Sequence, residues 1–307
     1  MRVLVTGAAG QVGADVARAL EGRAEVIALD RAALDLARPE AIARAVREAR
    51  PRLIVNAAAY TAVDRAESEA DLARAVNARA PAILADEAKR CGALLVHYST
   101  DYVFDGAKDG PYVETDATAP LNVYGETKLE GERAVAASGC AHLILRTSWV
   151  YAPRGRNFLL TMLRLAQARD EIGVVDDQRG APTSSGELAR ATLEIFAPAA
   201  AHARPLGEAD LERVAASGGL YHATAAGETT WYGFAQAIFE ERSAHAGEGS
   251  RVPRLVPIPT SEYPTPARRP ANSVLSSELL ARTFGVRLAH WRDGLAQVLS
   301  ALGGGGR

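Results

Sequence analysis

The fold class is indicated by a glycine-rich segment near the start of the sequence, Val3-Leu4-Val5-Thr6-Gly7-Ala8-Ala9-Gly10-Gln11-Val12-Gly13. Its first three residues predict a strand, and the apolar residues from Gln11 to Leu20 recur with helical spacing. Between them, the pattern GxxGxxG predicts a tight turn that lets a pyrophosphate approach the backbone at a helix N-terminus. A glycine triplet alone says little, but one placed between a strand and a helix has the context of a dinucleotide-binding loop.

The same alternation of strands and helices continues through the first half of the chain. Further strands are predicted at 26–29, 53–55, 94–98 and 142–145, and helices at 41–49, 70–90 and 123–137. Because these strands are apolar throughout, they predict a parallel sheet that helices cover on both faces. We therefore predict an α/β fold, with a doubly wound parallel Rossmann sheet and a smaller α/β substrate-binding domain.

The composition changes after about Tyr151, where proline, glycine and polar residues become more frequent. We predict three segments: an NAD(P)-binding domain over 1–153, to which segments near 221–240 return, a mainly substrate-binding domain over 154–302, and a flexible tail over 303–307. The segment 197–219 has the Ala-, Gly- and Pro-rich composition of a surface insertion. The segment 253–270 is rich in proline and is predicted to be irregular.

Charge and cysteine content exclude several classes of protein. Lys and Arg number 35 against 37 Asp and Glu, and this balance argues against nucleic-acid binding by bulk electrostatics. Cys91 and Cys140 are isolated, which predicts reduced thiols in a reducing compartment. No targeting segment and no run of about 18 apolar residues is visible. We therefore expect a cytoplasmic enzyme or binding protein without a membrane partner.

Two further groups of residues have side chains suited to proton transfer. Ser99, Thr100 and Asp101 follow the fourth predicted strand, at the end where open α/β sheets bind ligands. Tyr124 and Lys128 lie at positions i and i+4, on one face of a predicted helix. The lysine is expected to lower the tyrosine pKa towards neutrality, so that the phenol can exchange a proton at a carbonyl oxygen. Taken alone, the first group would equally suit a turn that ends a strand, and the second a pair of side chains on the surface of a helix.

Six longer motifs point to one family of proteins with this fold. They are NAAAYTAVD at 56–64, HYSTDYVFDG at 97–106, PLNVYGETKL at 120–129, RTSWVY at 146–151, DQRGAPT at 177–183 and YPTPARRP at 263–270. Together with the glycine loop, they resemble the dTDP-4-dehydrorhamnose reductase family of the extended short-chain dehydrogenases/reductases. The resemblance runs from residue 1 to about 300, except for 197–219.

The resemblance implies a nicotinamide cofactor, NADPH or NADH. The implied cofactor-binding residues are Gly7, Gly10, Gln11, Val12, Gly13, Asp30, Arg31, Asp35, Leu36, Ala59, Tyr60, Thr61, Tyr98, Tyr124 and Lys128. Asp30 ends the second strand, where a carboxylate would hold the ribose hydroxyls, whereas Arg31 could meet a 2′-phosphate. The sequence therefore leaves the choice between NADH and NADPH open.

The resemblance also implies a reaction, the reduction of the C4 ketone of dTDP-4-dehydro-L-rhamnose to dTDP-L-rhamnose, a precursor of cell-surface polysaccharide. The implied catalytic residues are Thr100, Tyr124 and Lys128, with Tyr124 as the general acid. The implied substrate residues are Thr100, Asp101, Tyr102, Trp149, Arg268 and Arg269. We assign the two arginines to the nucleotide diphosphate, because guanidinium groups suit phosphate oxygens.

Enzymes and subunits with other functions share this fold. A nucleotide-sugar 4,6-dehydratase needs a glutamate where Tyr102 stands, which argues against it. A 4-epimerase uses the same three catalytic residues and stays open, as does a non-catalytic subunit like the regulatory subunit of methionine adenosyltransferase. Some family members are described as Mg²⁺-bridged dimers. Asp15 and Glu187 match their acidic positions poorly, so no metal site is predicted, and a monomer or homodimer is expected.

Overall fold

A computed structural model describes residues 1–197, 204–245 and 252–304. Its largest sheet contains the strands β1 (Arg2–Thr6), β2 (Glu25–Leu29), β3 (Leu53–Asn56), β4 (Leu94–Thr100), β5 (His142–Thr147) and β10 (Gly219–His222). Neighbouring strands pair in parallel in the order β10-β5-β4-β3-β1-β2. The apolar strands lie between two helical layers, which confirms the predicted α/β fold with a doubly wound parallel sheet.

The helices of the first half pack on the two faces of this sheet. They are α1 (Gln11–Ala19), α2 (Pro39–Ala49), α3 (Val63–Ala66), α4 (Ala70–Arg74), α5 (Ala80–Cys91) and α6 (Val123–Ser138). Ile42 of α2, Leu84 of α5 and Val135 of α6 are buried in the core of one face, and Val16 of α1 in the other. The helix predicted over 70–90 is interrupted by a π-helical turn, Ala75–Arg79.

The second half adds short sheets and six helices within the described residues. The elements are β6 (Val150–Tyr151), α7 (Phe158–Ala168), β7 (Glu171–Val175), β8 (Arg179–Gly180), β9 (Thr183–Ser184), α8 (Ser185–Phe196), α9 (Glu208–Ala216), β11 (Thr229–Thr230), α10 (Trp231–His245), β12 (Arg254–Ile258), α11 (Glu278–Phe284) and α12 (Trp291–Gly304). Three pairs form two-stranded sheets: β6 with β9, β7 with β12, and β8 with β11. A second core forms where α7, α10 and α12 pack around Leu159, Phe234 and Leu295.

More of the second half of the chain packs with the large sheet than the predicted domain boundary at 153/154 implies. β10 joins the large sheet beside β5, so the chain returns at Gly219–His222 rather than over 221–240. Helices α8, α9 and α11 also pack on the α1 face of the large sheet. The physical reason is that α1 alone leaves apolar strand side chains on this face uncovered. Helix α10, in contrast, packs in the second core.

Three local predictions differ from the structure. Within 197–219, α9 buries Leu211 and Val214 in the first core, so its described part is not a surface insertion, and 198–203 lie outside the described residues. Within 253–270, which is predicted to be irregular, the structure has the strand β12. This strand pairs with β7 on one side, and among the described residues its other side is an open edge, where Pro257 is tolerated although it has no N–H to donate. Helix α12 extends through Gly303 and Gly304 of the predicted tail, and 305–307 lie outside the described residues. None of the helices described here is long and apolar enough to cross a membrane.

Candidate active site

The turn between β1 and α1 has the backbone geometry of a phosphate-binding loop. Gly7 has a φ of +69°, and a Cβ there would lie 2.8 Å from the backbone of Ala58. A Cβ on Gly13 would lie 2.2 Å from the carbonyl oxygen of Gly7. Gly10 begins α1 without a side-chain cap, so the first backbone N–H groups of the helix are left for a ligand. The loop fits a dinucleotide pyrophosphate, because any side chain at Gly7 or Gly13 would collide with backbone atoms.

A cleft of about 620 Å³ crosses the carboxyl ends of β1, β3, β4 and β5. The predicted residues that line it are Gly7, Gly10, Gln11, Val12, Arg31, Asp35, Leu36, Ala59, Tyr60, Thr61, Tyr98, Thr100, Asp101, Tyr102, Tyr124, Lys128 and Trp149. The predicted residues outside its lining are Gly13, Asp30, Arg268 and Arg269. The structure therefore brings the glycine loop and the proton-transfer residues to one cleft, as open parallel sheets do at their strand ends.

Asp30 and Arg31 differ in the way they face this cleft. The Oδ1 atom of Asp30 accepts a hydrogen bond of 2.9 Å from the backbone N–H of Ala33, so the carboxylate caps the turn after β2. Arg31 lines the cleft and is exposed. The cation, rather than the carboxylate, is thus the charged side chain of this pair that borders the cleft.

Lys128 is buried on α6, and its Nζ donates a hydrogen bond of 2.5 Å to the carbonyl oxygen of Tyr98 on β4. Burial lowers the pKa of Lys128 to about 8. The neighbouring His97 is fully buried, and both burial and the charge of Lys128 hold its pKa well below the usual value. The imidazole is therefore neutral, and the ammonium is the cationic member of this pair. The Tyr98 phenol points away to Thr192 of α8, 2.5 Å from its hydroxyl.

Tyr124 lies one turn before Lys128, and its phenol is protonated at neutral pH. Burial raises its pKa to about 12, while the Thr100 hydroxyl lowers it in part and the charge of Asp101 raises it. The expectation that Lys128 lowers this pKa towards neutrality is wrong for the protein described here. Desolvation dominates, and the lysine ammonium is directed at a backbone carbonyl. The protonated phenol is the form that a general acid requires.

Thr100 lies at the junction of β4 and a 3₁₀ turn, Asp101–Val103, beside the phenol of Tyr124. Its Oγ1 donates a hydrogen bond of 3.0 Å to Oδ1 of Asp101 and accepts one of 3.2 Å from the N–H of Tyr102. Burial raises the pKa of Asp101 to about 6. The rings of Tyr102 and Tyr124 meet edge to face, with centroids 5.6 Å apart. Thr100 can therefore turn its proton to a substrate oxygen only by releasing Asp101.

The backbone of Tyr60, which lines the cleft, is fixed by Asn77. The side chain of Asn77 accepts a hydrogen bond of 2.8 Å from the N–H of Tyr60 and donates one of 3.1 Å to its carbonyl oxygen. Asn77 belongs to the π-helical turn Ala75–Arg79, and such turns are frequent at functional sites. Sequence reasoning missed this residue, because the helix pattern over 70–90 carries no sign of the extra backbone residue.

Other cleft residues were also missed from the sequence. They include Leu34, Ala57, Ala58, Thr147, Ser148, Arg154, Arg156 and Trp231. Arg154 donates a hydrogen bond of 2.9 Å to the carbonyl of Gln11 and forms an ion pair of 2.7 Å with Asp15. The rule that strand ends carry ligands would have pointed to Thr147 and Ser148, had it been applied to the fifth strand.

The acidic residues considered for a metal site have other partners. Asp15 is buried and accepts a hydrogen bond of 2.5 Å from the hydroxyl of Ser185. Glu187 is buried and ion-paired with Arg190 at 2.9 Å. Over residues 1–197, 204–245 and 252–304, no group of three or more His, Cys, Asp or Glu side chains could hold a metal ion.

The two arginines assigned to the diphosphate lie in a loop beside the cleft. Arg269 forms an ion pair of 2.9 Å with Asp64, which follows the cleft residue Val63. Arg268 is exposed, and its carbonyl oxygen accepts a hydrogen bond of 2.7 Å from Asn122, the N-cap of α6. The loop is thus tied to the helix that carries Tyr124 and Lys128.

Comparison with known proteins agrees with this geometry. The family model described as "RmlD substrate binding domain" matches residues 1–303. This chain belongs to that family. A dTDP-4-dehydrorhamnose reductase from Burkholderia thailandensis is 54% identical over 295 residues, which cover 95% of this chain and 96% of the relative.

Two solved structures of the same family superpose over nearly the whole chain. A dTDP-4-dehydrorhamnose reductase from Clostridium acetobutylicum matches with a TM-score of 0.88 at 37% identity, covering 99% of this chain and 100% of the other. The same enzyme from Bacillus anthracis, in complex with NADP, matches with a TM-score of 0.87 at 32% identity, covering 98% and 99%. These comparisons confirm the predicted family and, with it, an enzyme of the oxidoreductase class.

Proposed function

We propose that this chain reduces the C4 ketone of dTDP-4-dehydro-L-rhamnose to dTDP-L-rhamnose with NADPH or NADH, as a step towards cell-surface polysaccharide. One observation carries the proposal: Thr100, Tyr124 and Lys128 line the same cleft as the glycine loop, and Tyr124 is protonated there. The names of the relatives support the same reaction.

In this proposal the bound nicotinamide supplies the hydride that reduces C4 of the sugar. The N–H groups at the start of α1 hold the pyrophosphate, and Lys128 holds the nicotinamide ribose. Tyr124 donates its proton to the C4 oxygen as negative charge develops there, and Thr100 hydrogen-bonds the same oxygen. Asp101, Tyr102 and Trp149 shape the sugar pocket, while Arg268 and Arg269 remain our candidates for the diphosphate.

The test is oxidation of the reduced cofactor, followed by its absorbance, with dTDP-4-dehydro-L-rhamnose as substrate. We expect oxidation in step with formation of dTDP-L-rhamnose, and none with dTDP-glucose, which has no ketone at C4. Parallel assays with Mg²⁺ and with a chelator test for a metal requirement. Cofactor binding without oxidation would contradict the proposal. Interconversion of C4 epimers without net oxidation would then indicate an epimerase, and absence of any turnover a non-catalytic subunit.

We predict a preference for NADPH over NADH that depends on Arg31. Because Asp30 caps the turn after β2 and lies outside the cleft lining, whereas Arg31 borders the cleft, the cation is available to a 2′-phosphate. Arg31→Ala should lower kcat/KM for NADPH about 10- to 100-fold, the effect of losing a charge-assisted hydrogen bond, and change that for NADH little. Arg38→Ala, at an exposed arginine outside the cleft lining, is the matched control. Equal losses with both cofactors would contradict this role.

The compartment and the oligomeric state also remain proposals. Cys91 and Cys140 are free thiols, which supports a reducing compartment and hence the cytoplasm. A monomer or homodimer is expected, and the nucleotide sugar is the expected partner.

A further inference from the structure

Trp149 has an unusual backbone conformation in the cleft. Its φ is +48°, in the left-handed region that residues with a side chain seldom adopt. It joins the end of β5 to β6, and its carbonyl oxygen accepts a hydrogen bond of 3.3 Å from the N–H of Thr183. Strained residues of this kind persist only where the surrounding structure holds them, and they are concentrated at functional sites.

One face of the Trp149 indole is covered by Trp231. The two rings are stacked and nearly parallel, with centroids 3.5 Å apart and an angle of 5° between their planes. Trp231 is itself held on two sides, since its Nε1 donates a hydrogen bond of 3.2 Å to Gln178 and Phe158 packs 4.7 Å from its ring. Both tryptophans line the cleft. Trp231 is therefore a fixed support for Trp149.

The other face of the indole is covered by the backbone at Gly180. A Cβ at this position would lie 2.4 Å from Cε2 of Trp149 and 2.7 Å from Cζ2 and Nε1. All three nearest atoms belong to Trp149, which puts Gly180 on the face away from Trp231. The pairing of β8 with β11 sets the distance between Gly180 and Trp231. Gly180 on β8 is opposite Thr229 on β11, and Trp231 is the residue that directly follows β11. The indole therefore lies in a slot that only a glycine leaves open.

We propose that Trp231 and Gly180 are positioning residues that hold the Trp149 indole as a rigid wall of the sugar pocket. This inference rests on the proposed function, in which Trp149 contacts the sugar. Since both faces of the indole are covered, only its edge is left for a ligand, and an indole edge consists mostly of C–H groups, which suit the methyl group of a 6-deoxy-4-ketohexose. The slot acts on the sugar and not on the nucleotide cofactor, whose loop lies at the start of α1.

Trp231→Ala should remove the support and raise KM for the 4-ketosugar about 10-fold or more, with a smaller change in kcat and in KM for NADPH. Gly180→Ala should give the same split, because the added methyl group cannot share the slot with the indole. Trp231→Phe keeps an aromatic ring under Trp149 and should restore a KM close to that of the unaltered protein. Tyr232→Phe, at the next residue along α10, is the control with no expected effect.

Near-ultraviolet circular dichroism supplies a readout that does not depend on turnover. The two stacked indoles should give a coupled signal, which Trp231→Phe removes and Gly180→Ala alters. An unchanged ketosugar KM in both Trp231→Ala and Gly180→Ala would overturn the inference, as would Trp231→Phe being as impaired as Trp231→Ala. Gly180→Ala decides the matter if Trp231→Ala does not fold. Failure of the unaltered protein to reduce the ketosugar would instead reject the proposed function, before any variant is compared.

Discussion

Tyr124→Phe is expected to lower kcat by about two to four orders of magnitude, the usual contribution of a positioned general acid, while KM for the cofactor changes little. The substitution removes only the hydroxyl, so the ring keeps its edge-to-face contact with Tyr102. Because burial raises the pKa of Tyr124 to about 12, the phenol holds its proton throughout the neutral range. The measurement is steady-state oxidation of NADPH with the ketosugar in excess.

Two controls decide what a loss of turnover in Tyr124→Phe would mean. Tyr263→Phe makes the same chemical change at a side chain that is 59% exposed, and it should leave turnover intact. Cofactor affinity, measured by quenching of protein fluorescence, should be nearly unchanged in Tyr124→Phe. Turnover close to that of the unaltered protein would mean that another group donates the proton, and Thr100 would be the next candidate.

The sequence predicts those parts of the fold and site that depend on residues close together along the chain. The glycine loop is predictable because its three glycines stand between a strand and a helix, and the 2.2 Å approach to the Gly7 carbonyl at Gly13 is a contact within the loop itself. Thr100 is predictable because a buried parallel strand ends there. Tyr124 and Lys128 follow from helical spacing. These features need no knowledge of the rest of the chain.

The features that sequence did not predict depend on contacts between distant segments. Gly180 and Trp231 meet Trp149 through β8 and β11, strands of two residues each that have no detectable periodicity. Arg154 bonds Gln11 of the glycine loop although the two residues are 143 positions apart in the sequence. The pKa of Tyr124 was predicted in the wrong direction because residue spacing reports the neighbouring charge but not the burial, and burial has the larger effect here.

Lys128→Met is expected to impair cofactor binding and turnover together. Methionine fills much of the same volume without a charge, so the variant removes the ammonium while leaving little cavity. We expect KM for NADPH to rise about 10-fold or more and kcat to fall about 100-fold, because in the proposed function the lysine holds the nicotinamide ribose beside Tyr124. Lys89→Met is the matched control, since Lys89 is exposed and donates a hydrogen bond of 2.9 Å to the backbone carbonyl of Ser138.

The pH dependence separates this role of Lys128 from a structural one. Burial lowers the pKa of Lys128 to about 8, so the unaltered protein should bind NADPH more weakly as the pH rises through 8 and the ammonium is lost. Lys128→Met should lack this alkaline decline. Stability changes in the opposite sense, because the cost of burying the charge is present below pH 8 and disappears as the pH rises towards 10.5, the ordinary value. The melting temperature of the unaltered protein should therefore rise relative to that of Lys128→Met over this interval, just where its cofactor affinity falls. If affinity and melting temperature declined together instead, Lys128 would be acting on the fold, and its assignment to the cofactor would be wrong.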